Sequence, residues 1–205
     1  MKSCAILGAS GHGKVVAEIA ELSGYNKITF FDDRWPSLKF IEHWNVSGDT
    51  SSLLGTVQEY DVVVVAIGNN ATRYEKQLEL SAVGANFCVL AHPSALISKY
   101  AKIRLGTVVM ANAVVNPFSV IGSSCIINTG SIIEHDCRLA DGVHISPNTS
   151  LAGGVEVGKN TWVGLGTKVK QQVKIGSYCI IGAGSTVLDN IPSDVTAVGS
   201  PARLI

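Results

Sequence analysis

The sequence lacks an excess of charge of either sign. Lysine plus arginine and aspartate plus glutamate number 16 each, and charged residues make up only 16% of the 205 positions. A surface that binds nucleic acid or a membrane needs a cluster of basic residues, so the balance predicts neither partner. Hydrophobic residues make up 46% of the chain, which indicates a well-buried globular protein rather than a disordered one.

Long apolar runs and paired cysteine motifs are also missing. The longest strongly apolar run, residues 62–67, is far shorter than the ~20 residues of a membrane span, and Gly8 interrupts the first apolar stretch too early for a signal peptide. The five cysteines include no CxxC pair, and their odd number fits a reducing compartment. These absences predict a cytoplasmic protein.

The first 90 residues alternate between strand and helix patterns. Short apolar segments at 3–7, 28–31, 62–67 and 87–90 predict strands, and apolar residues at helical spacing follow the first and third of them. The run at 62–67 has no polar alternation, as expected of a strand buried on both faces of a parallel sheet. The pattern predicts a small Rossmann-like α/β domain over residues 1–90.

A different pattern begins at Ile97. Every sixth residue from Ile97 to Val187 is aliphatic, sixteen positions in all, and a small or apolar residue follows each of them four places later. A fixed short period is typical of a solenoid; strands of this spacing close a three-sided coil every 18 residues, which predicts about five coils over residues 91–205. Glycine often follows the aliphatic residue directly, as at Gly122 and Gly158, where we expect it to relieve a positive φ at a turn.

This hexapeptide pattern resembles the left-handed parallel β-helix of the hexapeptide-repeat acyltransferases. The resemblance implies the left-handed sense of the coil, and it implies a homotrimer with active sites between neighbouring β-helices. The three cysteines of this region fall in the inward small-residue positions, so we expect packed thiols there and no cysteine nucleophile.

His135 and Asp136 are the candidate catalytic pair. A histidine that acts as a general base gains from a carboxylate that orients its ring, and adjacent residues can make this contact at a turn. A surface histidine beside a surface aspartate is the alternative from the residues alone. The segment 128–137, NTGSIIEHDC, resembles the active-site stretch of the group formed by sialic acid O-acetyltransferases and bacillosamine-pathway N-acetyltransferases. The resemblance implies that His135 is the base and that Asp136 raises its basicity.

His144 lies nine residues after His135, half of an 18-residue coil, so the two rings should lie on opposite sides of one β-helix. The resemblance implies that His144 contacts acetyl-CoA held against a neighbouring copy and that Gly164 and Gly182 contact the same co-substrate. It also gives Arg203 as a partner for a CoA phosphate. A structural histidine, turn glycines and a solvated terminus are the alternatives. Two histidines without a third ligand predict no metal site.

The glycine-rich segment Gly8-Ala9-Ser10-Gly11-His12-Gly13 joins the first strand to the first helix, where helix N-terminal amides favour an anion. Its spacing is G-x-x-G-x-G, which is not the dinucleotide fingerprint, and an ordinary tight turn is the alternative. Asp32 and Asp33 follow the second strand and Gly68 follows the third. Parallel strands end at one edge of a sheet, so these residues predict a ligand site there.

The combination GASGHG, FDD, AIGNN and HPSA resembles the amino-sugar acetyltransferase group along the whole chain. The resemblance implies that the first domain holds the UDP part of a nucleotide sugar through Ser10, Gly11, His12, Asp32, Asp33 and Gly68. For His12, helix capping is the alternative.

We therefore expect an enzyme that uses acetyl-CoA to acetylate the 4-amino group of a nucleotide-linked amino-deoxy sugar by direct transfer, with no metal. O-acetylation of a sialic acid is the alternative within the same class. A nucleotide-dependent oxidoreductase and a non-catalytic β-helix that binds nucleotide are the alternatives from other classes.

Overall fold

The computed structural model describes residues 2–205, which form two compact units, one ending at Pro93 and the other spanning Ser94–Ile205. The first unit has a three-stranded parallel sheet. Its central strand β1 (Ser3–Leu7) pairs in parallel with β2 (Lys27–Phe31) and with β5 (Val62–Val65). All residues of β1 and β5 are buried, which explains their continuous apolar sequences.

Three α-helices accompany this sheet. They are α1 (Gly11–Leu22), α2 (Thr50–Thr56) and α3 (Asn70–Ala82). Sequence analysis predicted α1 and α3 but not α2, whose seven residues are too few to show a helical period; the side chain of Asp49 caps its first turn. Across residues 2–205, no helix combines the length and the apolar character needed to cross a membrane.

The remaining elements of the first unit are short. Phe40–Ile41 (β3) and Trp44–Asn45 (β4) form an antiparallel hairpin, Val57–Glu59 is a 3₁₀ turn, and Leu90–Ala91 (β6) is the last strand. The strand predicted over residues 87–90 is wrong except at Leu90. Only the carbonyl of Asn86 meets the edge of β5, at 2.8 Å from the nitrogen of Val63, so the segment passes the sheet without joining it.

The second unit is a parallel β-helix, as the sixfold period predicts. Its strands stack on three faces, each joined to its neighbour by 18-residue steps. The first face contains Leu96–Ile97, Val114–Val115, Ile132–Ile133, Ser150–Leu151, Lys168–Val169 and Thr186–Val187. The second contains Lys102–Ile103, Val120–Ile121, Arg138–Leu139, Glu156–Val157 and Lys174–Ile175. The third contains Val108–Val109, Ile126–Ile127, His144–Ile145, Trp162–Val163, Ile180–Ile181, Thr196–Val198 and the antiparallel Arg203–Leu204.

The core of the β-helix consists of the periodic residues. From Val109 to Val187 each aliphatic residue of the sixfold series is at most 3% exposed and stacks on its counterpart in the next coil. The small residues four places later are buried too, and their hydroxyls satisfy carbonyls of the next coil, as Thr107 Oγ1 does at 2.8 Å from the oxygen of Gly122. Cys125, Cys137 and Cys179 lie in this series as buried free thiols.

The predicted reason for the glycines that follow the aliphatic residues is wrong. Positive φ falls two places further on, at Ser124 and Asn160 for example, and not at Gly122 or Gly158. A Cβ on Gly122 would instead lie 2.6 Å from the backbone of Ala140, in the next coil. These glycines are required because the neighbouring coil approaches closely.

We call the turns between the first and second faces, the second and third faces, and the third and first faces the first, second and third corners.

Candidate active site

His135 and Asp136 occupy the first corner, directly after Ile132–Ile133. Asp136 has a φ of +61°, a conformation that aspartate tolerates better than most residues, and this turn brings its carboxylate beside the preceding ring. Nδ1 of His135 lies 2.8 Å from Oδ2 of Asp136, and both side chains are 63% exposed. With Nδ1–H donating to the carboxylate, Nε2 is left as the basic nitrogen.

Gly153 makes room for this ring. It lies one coil after His135, and a Cβ there would be 2.6 Å from both Cε1 and Nε2 of the imidazole. A glycine at this position therefore allows the ring to lie over the next coil while its other nitrogen faces the carboxylate. In the coil before, Nδ2 of Asn116 donates to Oε2 of Glu134 at 2.9 Å, which orients a second carboxylate on the same corner.

His144 lies on the third face, half-buried, with partners unlike those of His135. Its Nε2 is 3.1 Å from Nδ2 of Asn128, and its ring stacks on Trp162 with centroids 6.1 Å apart and planes at 16°. The indole Nε1 of Trp162 donates to Oγ of Ser146 at 2.7 Å. The ring of His144 is therefore held between an amide and an indole rather than by a carboxylate.

A groove of about 350 Å³ runs beside His144. Its lining is mainly apolar and includes Gly164 and Gly182, which sit where the third face meets the third corner. The backbone is tightly packed there, since a Cβ on Gly164 would lie 2.5 Å from the carbonyl oxygen of Ile181. The groove suits an extended ligand that contacts main chain and apolar side chains.

The structure thus brings His144, Gly164 and Gly182 together and leaves His135 elsewhere. The first corner is opposite the third face of a three-sided coil, so one chain does not place the two imidazoles in one site. Arg203 lies outside both places: it is exposed, and Nη1 donates to the carbonyl of Ala202 at 2.9 Å.

In the first unit, the glycine-rich loop leads from β1 into α1. Ser10 is the N-cap residue of α1 in an extended conformation, and its side chain makes no capping bond. Ser10 and Gly11 are exposed, whereas Gly13 is buried, and a Cβ on Gly13 would overlap the carbonyl oxygen of Gly8. The loop is therefore compact, and it leaves the hydroxyl of Ser10 exposed at the start of the helix.

His12 is the second residue of α1. Its Nε2 is buried without a hydrogen-bond partner, and helix capping does not explain it. Burial, and then repulsion from the guanidinium of Arg73, lower the pKa of His12 from 6.5 to about 4. The ring is therefore neutral at physiological pH.

Asp32 and Asp33 bond to the protein itself. Oδ2 of Asp32 accepts from the backbone of Ala9 at 2.8 Å, and Arg34 holds the carboxylate through Nε at 2.7 Å, which lowers the pKa of Asp32. Oδ1 of Asp33 accepts from the backbone of Thr50 at 2.9 Å. Asp32 therefore connects the glycine-rich loop to the end of β2, while the exposed Asp33 anchors the start of α2.

Gly68 is exposed after β5, and its carbonyl is held from below by a buried arginine. Nη1 of Arg73, 1% exposed, donates to the carbonyls of Ile67 and Gly68 at 3.0 and 3.2 Å, and Nη2 donates to Oδ1 of Asn70 at 2.9 Å. This arginine fixes the loop that follows β5.

Sequence analysis missed Arg73, Asn128, Gly153 and Trp162. Gly153 and Trp162 lie 18 residues after His135 and His144, so adding one coil length to each histidine would have found them. Arg73 and Asn128 follow no such rule. Across residues 2–205 no group of three or more histidine, cysteine or acidic side chains is placed to hold a metal ion.

Comparisons with known proteins agree with both units. A family model described as the PglD N-terminal domain matches residues 3–80, and one described as bacterial transferase hexapeptide (six repeats) matches residues 154–189. A UDP-N-acetylbacillosamine N-acetyltransferase of Bacillus subtilis (strain 168) is 38% identical over 114 residues, which are 54% of this chain and 52% of that protein. The match therefore spans about half the length of this curated relative.

Two solved structures match over the whole chain. The acetyltransferase domain of PglB from Neisseria gonorrhoeae FA1090, in complex with acetyl coenzyme A, is 39% identical with a TM-score of 0.96, covering 100% of this chain and 99% of that one. PerB from Caulobacter crescentus, in complex with CoA and GDP-perosamine, is 34% identical with a TM-score of 0.95, covering 100% and 98%. The chain belongs to the hexapeptide-repeat acetyltransferase family that includes these two proteins.

Proposed function

We propose that this protein transfers the acetyl group of acetyl-CoA to the 4-amino group of a nucleotide-linked amino-deoxy sugar. The observation that carries the proposal is the open pair on the first corner, with Nδ1 of His135 at 2.8 Å from the carboxylate of Asp136. Such a pair supplies a neutral imidazole whose Nε2 accepts a proton and whose charged form the carboxylate stabilises. The relatives named for N-acetyltransferase activity support this chemistry.

The proposed step is a direct transfer within a ternary complex. The amine nitrogen attacks the thioester carbonyl, and Nε2 of His135 takes the proton that the nitrogen loses. The tetrahedral intermediate then collapses, its carbon–sulfur bond breaks, and CoA leaves as the thiolate. His144 or backbone amides of the groove donate to the oxyanion as it forms. No covalent acetyl-enzyme is required.

Acetyl-CoA is the proposed occupant of the groove beside His144. The apolar lining and the accessible backbone at Gly164 and Gly182 fit a long arm that carries a thioester at its tip. The relatives solved with acetyl coenzyme A and with CoA support this donor. Thermal unfolding with acetyl-CoA tests it, because a ligand of the native state raises the melting temperature by mass action. An unchanged melting temperature for the wild type, or an equal increase for Ala183→Glu in the groove, contradicts this assignment.

The nucleotide part is assigned to the first unit. The exposed Ser10 and Gly11, the unpartnered Nε2 of His12, and the tips at Asp32, Asp33 and Gly68 support a site at the carboxyl ends of the parallel strands. We propose UDP as the nucleotide. PerB was solved with a GDP sugar, so GDP and dTDP are the comparisons to make.

An acceptor panel tests the reaction itself. CoA release is followed with 4-amino-4-deoxy sugars carried on UDP, GDP and dTDP and with a free sialic acid. We expect release with the UDP amino sugar and an amide in the product by mass spectrometry. Release with sialic acid alone, and an ester in the product, would replace the proposal with O-acetylation. Nucleotide binding without any CoA release would indicate a non-catalytic β-helix.

We further propose that the working assembly is a homotrimer in the cytoplasm, with each site shared by two copies. The first corner and the groove face opposite ways in one chain, so a neighbouring copy is required to join them. All five cysteines are free thiols, which fits a reducing compartment.

Complementation between two inactive variants tests the shared site. His135→Ala removes the base and Ala183→Glu places a charge in the groove that repels CoA phosphates; both positions are exposed. Co-expressed chains should regain part of the activity, because some interfaces pair an intact corner with an intact groove. Mixed trimers that stay inactive would contradict the shared site.

A further inference from the structure

The first corner carries two stacked aromatic side chains that the proposed chemistry does not use. The rings of Tyr100 and Phe118 have centroids 5.5 Å apart and planes at 24°. They are 54% and 62% exposed, and Nζ of Lys99 lies 5.0 Å from the centroid of Tyr100. We call Tyr100 and Phe118 the aromatic platform.

The platform is continuous with the catalytic pair. Tyr100, Phe118 and Asp136 occupy the same turn position in three successive coils, each 18 residues from the last. The backbone nitrogen of Asp136 donates to the carbonyl of Pro117 at 3.2 Å, so the two turns are in direct contact. Stacked strands lie about 4.8 Å apart, which places the ring of Phe118 within one sugar diameter of the His135 corner.

Stability of the fold does not explain Phe118. Its φ is +64°, a left-handed conformation that is unusual for a bulky side chain, and the equivalent turn residues at Gly130 and Gly142 are glycine. The ring is not buried, so its apolar surface offsets little of that cost. Residues held in unfavourable backbone conformations concentrate at ligand sites, and here the corner is the one that holds the proposed base.

We propose that the aromatic platform binds the pyranose ring of the acceptor sugar and positions its amino group at His135. The proposal rests on the acetyl transfer proposed above. The face of an aromatic ring carries negative charge, so it attracts the C–H groups on one face of a pyranose, and a deoxy sugar presents more of these than a fully hydroxylated one. The platform therefore favours deoxy acceptors through contacts with carbon rather than through hydrogen bonds.

Steady-state kinetics of Phe118→Ala and Tyr100→Ala test the platform. Each substitution should raise KM for the nucleotide amino sugar by about 3- to 10-fold and leave KM for acetyl-CoA unchanged. Phe118→Tyr, which keeps an aromatic face, should restore most of the affinity. Tyr178→Ala is the matched control: Tyr178 has a φ of +56° and is 51% exposed but lies at the second corner, so both KM values should stay at wild-type levels.

Three outcomes would overturn the platform, and each is separable from failure of the proposed function. An acceptor KM that does not change in Phe118→Ala, while the wild type acetylates the sugar, removes the platform alone. Equal increases in both KM values indicate a general disturbance of the site. Dissociation of Phe118→Ala in sedimentation velocity would assign the rings to a contact between copies. A wild type that acetylates no amino sugar would instead overturn the proposed function.

Discussion

The glycine-rich loop of the first unit and the first corner of the β-helix contain the same kinds of residue but use them differently. In the loop, the carboxylate of Asp32 is bonded to the backbone of Ala9 and to Arg34, and the ring of His12 is buried and neutral. At the corner, His135 and Asp136 bond to each other while both remain 63% exposed.

This difference separates side chains that shape a site from side chains that react. Asp32 is largely satisfied by the protein, so its main contribution is to hold the loop in place. The imidazole of His135 keeps one nitrogen for a substrate. We therefore expect substitutions at the corner to change turnover with little effect on stability, and substitutions in the loop to change stability.

The largest effect expected from this comparison is that of Asp136→Asn. Asparagine tolerates the positive φ of this turn, so the variant removes the charge and keeps the backbone. Turnover should fall by about 10- to 10³-fold, because the imidazolium that forms during the reaction loses its stabilising carboxylate. The free energy of unfolding should change by less than about 0.5 kcal/mol, as for other surface substitutions.

Stopped assays of CoA release and urea unfolding check these two values. Wild-type turnover in Asp136→Asn would show that the contact with His135 has no catalytic role. A large loss of stability would show that the corner resembles the loop after all.

The pH dependence of stability sharpens the comparison from the loop side. The pKa of His12 is about 4 in the folded protein and 6.5 in the unfolded chain, so between these values the unfolded state binds the extra proton. The stability of the wild type should therefore fall as the pH decreases from about 6.5 to 4, by about 3 kcal/mol from this group, at 1.36 kcal/mol per pKa unit. The loss is complete below pH 4 and absent above pH 7.

Urea unfolding of His12→Gln at a series of pH values isolates this contribution. Glutamine does not titrate, so the variant should lack that part of the decline. His43→Gln is the matched control, because the side chain of His43 is 71% exposed, and its curve should follow the wild type. Parallel curves for the wild type and His12→Gln would mean that the imidazole of His12 is not held neutral by burial.

A smaller effect on turnover is expected from Gly153→Ala. The new methyl group would lie 2.6 Å from Nε2 of His135, and the exposed ring can move away from it at low cost to the fold. Displacing a base by a fraction of its reach should lower turnover by about 10-fold. Gly55→Ala, in the exposed part of α2 with no atom within 4 Å of its Cβ, is the control and should keep wild-type turnover.

If Gly153→Ala retains full activity while remaining folded, the observed position of the His135 ring over Gly153 is not the one used in catalysis. Crystals of the variant would then show where the ring goes.

Much of this structure follows from repetition in the sequence. The sixfold series from Ile97 to Val187 defines the inward residues, and the continuous apolar runs mark β1 and β5, because burial on both faces leaves no polar alternation. The helix at Thr50–Thr56 escaped prediction because seven residues show no period and its stability comes from one cap and tertiary packing.

The candidate site was predictable only in part, for a physical reason. The dyad lies within two adjacent residues, so its sequence alone indicates the contact between His135 and Asp136. Arg73 supports Gly68 through backbone carbonyls, an interaction that no residue pattern encodes. The glycines that follow the aliphatic residues were assigned the wrong role, since a glycine letter does not distinguish a positive φ from a close approach by the next coil.

The most direct test of the central claim is the turnover of His135→Ala with saturating acetyl-CoA and nucleotide amino sugar. We predict a loss of about 10²- to 10⁴-fold, with binding of both ligands unchanged by calorimetry. Turnover within a few-fold of the wild type would contradict the account, because His135 would then not be the base.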